Sequence, residues 1–98
     1  MINEMELSEV TKWLTAEQII YISTSTADVL NRMNNDEKAR KEIKPTAKEM
    51  GLETPLLIFA RKYGIANASR EHGDKESTAI CTVIKEAYKN AYEDIQKK

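Results

Sequence analysis

Cys81 and His72 are the side chains of this sequence with the chemistry for nucleophilic catalysis. A histidine within hydrogen-bond reach of a cysteine can remove the thiol proton and leave a reactive thiolate. Cys81, however, lies beside the apolar stripe of a helical pattern, and His72 lies where a helix is expected to end. We therefore interpret Cys81 as a half-buried structural residue and His72 as a partner of helix carbonyl groups.

Metal and nucleotide sites are not indicated by the residue spacing either. A zinc site normally uses several Cys or His ligands at short spacing, and this chain has one of each. The glycine patterns that cradle phosphates, GxGxxG and GxxxxGK[ST], do not occur. We expect no catalytic residue, no metal and no cofactor, and hence a protein that is not an enzyme.

Composition places the chain in the globular class. Its 98 residues, 41% hydrophobic and 32% charged, are typical of one domain, residues 1–98. The first residues, MINEMELSE, lack the basic and apolar regions of a secretory signal. The longest strictly apolar run, residues 56–60, is too short to cross a bilayer. We expect a cytoplasmic protein that does not bind membranes.

Charge is distributed unevenly along the chain. Residues 1–37 carry a net charge of −5 and residues 38–75 a net charge of +4, whereas the remaining residues are balanced. The two charged segments are expected to attract each other, either within one chain or between two chains.

Residues 47–73 raise the question of DNA binding. Ala47, Gly51, Leu52 and Leu57 have the spacing of a helix-turn-helix, and Phe59–Ala66 (FARKYGIA) gives a second, incompatible match. The surrounding basic side chains are candidates for phosphate contacts: Lys38, Arg40, Lys41, Lys44, Lys48, Arg61 and Lys62.

The outward positions of the second helix argue against this reading. They would be Glu53, Thr54, Pro55, Ile58 and Phe59, whereas readers of base edges are Arg, Lys, Asn, Gln or Ser. In the second match, the position that should dock the two helices falls on Arg70. We therefore favour the core of a helical bundle over a DNA-reading motif.

Apolar spacing in the first half of the chain predicts three helices. The first starts near residue 5, and the second runs from a Thr15–Gln18 capping box to about Asn34. The β-branched run at residues 19–26 leaves a strand as the alternative there. Asp36 is the expected N-cap of a third helix, which Pro45 interrupts or restarts.

The second half predicts two longer helices. Gly51 is typical of a left-handed helix end, and Thr54 followed by Pro55 is typical of a helix start. We expect a central helix over 55–71, buried on several sides with Phe59 in the core. A last amphipathic helix is predicted over 76–96, capped by Asp74.

These patterns predict an all-α, compact bundle of four or five helices. By elimination, the function is that of a small, non-enzymatic interaction module: an adaptor, inhibitor or regulator that binds a protein partner through a helical face. A homodimer is one form of such binding, and a helix-turn-helix regulator that uses residues 38–62 is the alternative. The candidate protein contacts are aromatic, because interfaces are enriched in such residues: Trp13, Tyr88 and Tyr92.

Overall fold

Five α-helices and one π-helical turn form the part of the chain described by the computed structural model, residues 5–64 and 73–97. They are α1 (Leu7–Val10), α2 (Ala16–Asn34), α3 (Glu37–Glu42), α4 (Glu53–Phe59), the π-helical turn (Ala60–Gly64) and α5 (Gly73–Gln96). These residues contain no strand, so the predicted all-α bundle is confirmed. No helix among them is long and apolar enough to span a bilayer.

The centre of the bundle is the pair α2 and α5, which share the most extensive contact of any two elements. Both helices are amphipathic, so each buries one apolar stripe and leaves charged residues in water. α1 and α4 also pack against α5, which makes α5 the helix that every other part of the core meets. The buried cluster consists of Val10, Leu14, Ile22, Leu30, Ala47, Leu56, Ala60, Ala79, Ile80, Val83, Ile84, Tyr88 and Ala91.

The start of α2 follows the predicted capping box. The Gln18 N–H donates to the Thr15 hydroxyl oxygen at 3.2 Å, and the Thr15 N–H donates to Gln18 Oε1 at 2.8 Å. The strand alternative is excluded, because residues 19–26 are helical throughout. Buried Thr26 is compatible with this helix because its hydroxyl donates to the Ile22 carbonyl at 2.8 Å.

Between α3 and α4 the chain forms a single tight turn rather than a helix. Asp36 caps α3 as predicted, and the helix ends at Glu42, ahead of Pro45. The turn closes on Gly51 in the left-handed region (φ 73°), where only glycine is free of strain. The Leu52 N–H donates to the Ala47 carbonyl and the Gly51 N–H to the Lys48 carbonyl, which together form a Schellman motif.

Because of this turn, the next helix begins earlier than predicted. Thr54 is not the N-cap, because the Leu52 carbonyl already accepts the first helical bond, from the Leu56 N–H at 3.0 Å. Pro55 therefore occupies the third helical position. Proline is tolerated there because N–H groups of the first turn have no helical partner.

The helix predicted over 55–71 is also not the central one. α4 ends at Phe59, the π-helical turn continues to Gly64, and residues 65–71 lie outside the described residues. Leu56 and Ala60 are buried, but Ile58 and Phe59 are exposed. α5 holds the central place instead. The predicted last helix is confirmed over 76–96, and the side chain of Asp74, its predicted cap, lies outside the described part of the chain.

The contrast between Leu30 and Ile58 gives a stability prediction. Leu30→Ala removes a fully buried side chain and should lower the free energy of unfolding by about 2–5 kcal/mol. Ile58→Ala truncates an exposed side chain and should change it by about 0.5 kcal/mol or less. Chemical denaturation followed by circular dichroism measures both. A cost for Ile58→Ala as large as that for Leu30→Ala would contradict the exposed position of α4.

Candidate interaction site

Three aromatic rings from two helical segments lie in a row on the surface. Tyr21 of α2 stacks on Phe59 of α4, with ring centroids 5.9 Å apart and planes 9° apart. Phe59 in turn packs at a tilt against Tyr63 of the π-helical turn, at 4.9 Å. Both separations lie in the favourable range for aromatic pairs, so the rings hold each other in place.

Two aliphatic side chains that precede these rings in the sequence are also exposed: Ile20 before Tyr21 on α2, and Ile58 before Phe59 on α4. The five side chains Ile20, Tyr21, Ile58, Phe59 and Tyr63 each keep between 37% and 64% of their surface exposed. We call these five residues the aromatic face. Single exposed apolar residues are ordinary, whereas three exposed rings in contact typically mark a contact surface.

Charged side chains of opposite sign flank the aromatic face. Glu17 is exposed one helical turn before Tyr21. Lys62 lies at the other end of the ring row, with its Nζ 5.2 Å from the Tyr63 ring centroid, and Arg61 is exposed beside it. The lysine contact is a cation–π interaction, which keeps the ammonium group at the edge of the apolar surface.

The chemistry available to this face is association. Its rings and aliphatic side chains lose water-exposed apolar area when a partner covers them, and its charged ends can set the orientation of that partner.

No family model, characterised protein or solved structure matches this chain.

The predicted aromatic contacts Trp13, Tyr88 and Tyr92 lie elsewhere. Tyr88 is only 1% exposed, and its hydroxyl donates to the Lys44 carbonyl at 3.0 Å. The prediction of Tyr88 as a protein contact is therefore wrong, because this residue is buried and ties the turn before α4 to α5. Burial raises the pKa of Tyr88, so this donor stays protonated. Trp13 and Tyr92 are half-buried and pack against the core.

Tyr92 borders a separate cleft of about 590 Å³ between α5 and the turn that precedes α4. Its apolar walls include Pro45 and Ala47. Charged residues of both signs surround it: Lys48, Glu53, Lys85, Lys89 and Glu93. Because the signs are mixed, the cleft has no clear preference for an anion or a cation.

The basic side chains predicted to contact phosphates are all exposed. They are Lys38, Arg40 and Lys41 on α3, Lys44 and Lys48 in the following turn, and Arg61 and Lys62 in the π-helical turn. Among the described residues, no ion pair joins this basic segment to the acidic residues of the first segment. Between the described parts of the two segments, the expected attraction is thus not realised as direct ion pairs.

The predicted helix-turn-helix framework differs from the observed structure. Residues 46–50 form one turn, so the first helix of the motif around Ala47 is missing. The exposed positions of α4 include Thr54, Pro55, Ile58 and Phe59, which have no side chain that reads base edges. The second match, FARKYGIA, runs into residues outside the described part of the chain.

Cys81 is buried more deeply than expected. Burial raises the pKa of its thiol to about 11, and the nearby Glu53 carboxylate acts in the same direction, partly offset by Lys85. Such a thiol is protonated at neutral pH and a poor nucleophile. His72 lies outside the described residues, and the described residues contain no group of three or more potential metal ligands.

Sequence reasoning missed most of the aromatic face. Ile58 and Phe59 belong to the run LLIF, which holds more apolar residues than one helix face can bury. That excess is compatible with burial on several sides, as predicted, and equally with a helix whose second apolar side stays exposed. Only the packing of the neighbouring elements decides between the two.

The protonated, buried thiol gives a second prediction. In the native protein at pH 8, Cys81 should react with Ellman's reagent far more slowly than in denaturant, at a rate limited by opening of the bundle. Because the folded-state pKa is raised from 9.0 to about 11, stability is also expected to fall as the pH rises through that window. A fast native reaction at pH 8, comparable to that of free cysteine, would contradict this placement.

Proposed function

We propose that this chain is a small, non-enzymatic intracellular interaction module that binds a protein partner through the aromatic face. The observation that carries the proposal is the stacked row of Tyr21, Phe59 and Tyr63, exposed on the surface although the bundle has a separate core. Keeping such a group in water is unfavourable unless a partner covers it. The module acts by presenting this face to the partner.

The composition of the face supports protein binding in particular. Aromatic residues and arginine are enriched at protein–protein interfaces, charged residues are depleted from the centre, and the rim is polar. Here Tyr21, Phe59 and Tyr63 form the middle, and Glu17 and Lys62 lie at the ends. The rings come from α2, α4 and the π-helical turn, and this turn packs on both helices, so the face is preorganised before the partner arrives.

Site-specific photo-crosslinking in the native cells tests the proposal. A benzophenone amino acid in place of Tyr63 or Ile58, both exposed, should give a discrete protein adduct. The same amino acid in place of Lys41, exposed on α3 away from the face, should not. Mass spectrometry identifies the adduct.

The identified partner then permits a binding measurement with purified components. Ile58→Asp should weaken binding by about tenfold or more, because it replaces an exposed apolar side chain of the face with a charge that the partner would have to desolvate. Lys41→Asp is the matched control and should leave the affinity within about twofold. Equal adducts from positions 41 and 63, or no adduct from either Ile58 or Tyr63, would rule out the face as the contact.

Nucleic acid binding is the second candidate, and the exposed basic side chains of residues 38–48, which form no ion pair with a described residue, favour it. They would neutralise phosphates without a helix-turn-helix, so binding would be independent of sequence. Binding to random DNA duplexes in a salt series should then weaken steeply with salt. Lys44→Glu with Lys48→Glu should abolish it without unfolding the chain, and absence of binding at low salt removes this candidate.

A further inference from the structure

We infer that the partner of the aromatic face is a second copy of this chain, placed by a two-fold axis. The inference rests on the proposed function and names the occupant of the same face. It is carried by the order of groups along the face, by the charges that the chain leaves unpaired, and by the exposed area.

The order of groups makes the face complementary to itself. Glu17 lies one helical turn before Tyr21 on α2, the rings of Tyr21, Phe59 and Tyr63 follow in contact, and Lys62 lies over the ring of Tyr63. A two-fold rotation places this row antiparallel to the same row of the second copy. Each contact between a residue of one copy and a residue of the other then occurs twice. The rings of one copy then cover those of the other, and each acidic end meets the partner's basic end.

The charges at the two ends are available for this pairing. Neither Glu17 nor Lys62 forms an ion pair with another described residue, and both are exposed. More widely, the acidic and basic segments, with net charges of −5 and +4, are not joined by ion pairs among the described residues. With a formal net charge of −1, two copies also repel each other little.

The exposed area fits a weak, reversible dimer. A large apolar side chain has an accessible surface of about 200 Å². With their exposed fractions, the five residues of the face together leave roughly 500 Å² of surface in water. Standard interfaces bury about 800 Å² from each partner. The flanking charged residues make up part of that difference. We therefore expect a dimer that dissociates in the micromolar range rather than an obligate one.

Sedimentation velocity over a dilution series measures the association directly. The chain, of 11.2 kDa, should pass from monomer to twice that mass as the concentration rises. Ile58→Asp should remain monomeric at all concentrations while its circular dichroism spectrum and melting stay those of a folded chain. A monomer at every concentration for the unmodified chain would overturn the inference.

Charge reversal tests the two-fold arrangement itself. Glu17→Lys and Lys62→Glu should each weaken the dimer several-fold, because each brings like charges together twice. The double variant Glu17→Lys/Lys62→Glu should restore it, since both pairs are re-formed with reversed sign. Glu37→Lys and Lys41→Glu, on exposed α3, are the matched controls and should change nothing. If each single variant weakens the dimer but the double variant does not restore its affinity, the proposed pairing of Glu17 with Lys62 of the other copy is wrong.

The cross-linking experiment separates failure of this inference from failure of the proposed function. An adduct from position 63 with the mass of two chains supports the second copy. If the chain is monomeric and the adduct is a different protein, the second copy is wrong and the interaction module stands. If the chain is monomeric and position 63 gives no adduct, both are wrong.

Discussion

The contact between α2 and α5 is the constraint on which the rest of this structure depends. These are the two longest helices, and their apolar stripes supply most of the buried cluster. Because α5 also contacts α1, α4 and the π-helical turn, a change at its buried positions disturbs each of these elements. Tyr88 shows this coupling: its ring fills the core, and its hydroxyl holds the Lys44 carbonyl and with it the turn before α4.

The exposed aromatic face follows from that arrangement. α4 is seven residues long and reaches the core through one side only, by Leu56, with Ala60 just beyond its end. Its other side carries exposed Ile58 and Phe59, and the Phe59 ring contacts the rings of Tyr21 and Tyr63. The rings shield one another but leave a shared apolar surface. A surface of this kind lowers its free energy when a second surface covers it, which is the physical basis of the proposed interaction.

Local signals in the sequence predicted the local structure well. Thr15 and Gln18, three residues apart, cap α2 as expected, and Asp36 caps α3, because both depend only on neighbours in the chain. The prediction of Thr54 as N-cap was wrong because the Schellman motif at Gly51, a competing local motif, lets the helix begin earlier, after Leu52. Tyr88 and Phe59 were misplaced because a helical period shows which residues share a side but not which side meets another helix.

The central claim is that two copies of this chain meet at the aromatic face. Aromatic NMR spectra across a dilution series test it most directly, since they report separately on rings in the face and in the core. The account predicts that the ring signals of Tyr21, Phe59 and Tyr63 shift with concentration while those of buried Tyr88 stay constant. Signals of the face that remain unchanged on dilution, or shifts confined to Tyr92 and its cleft, would contradict it.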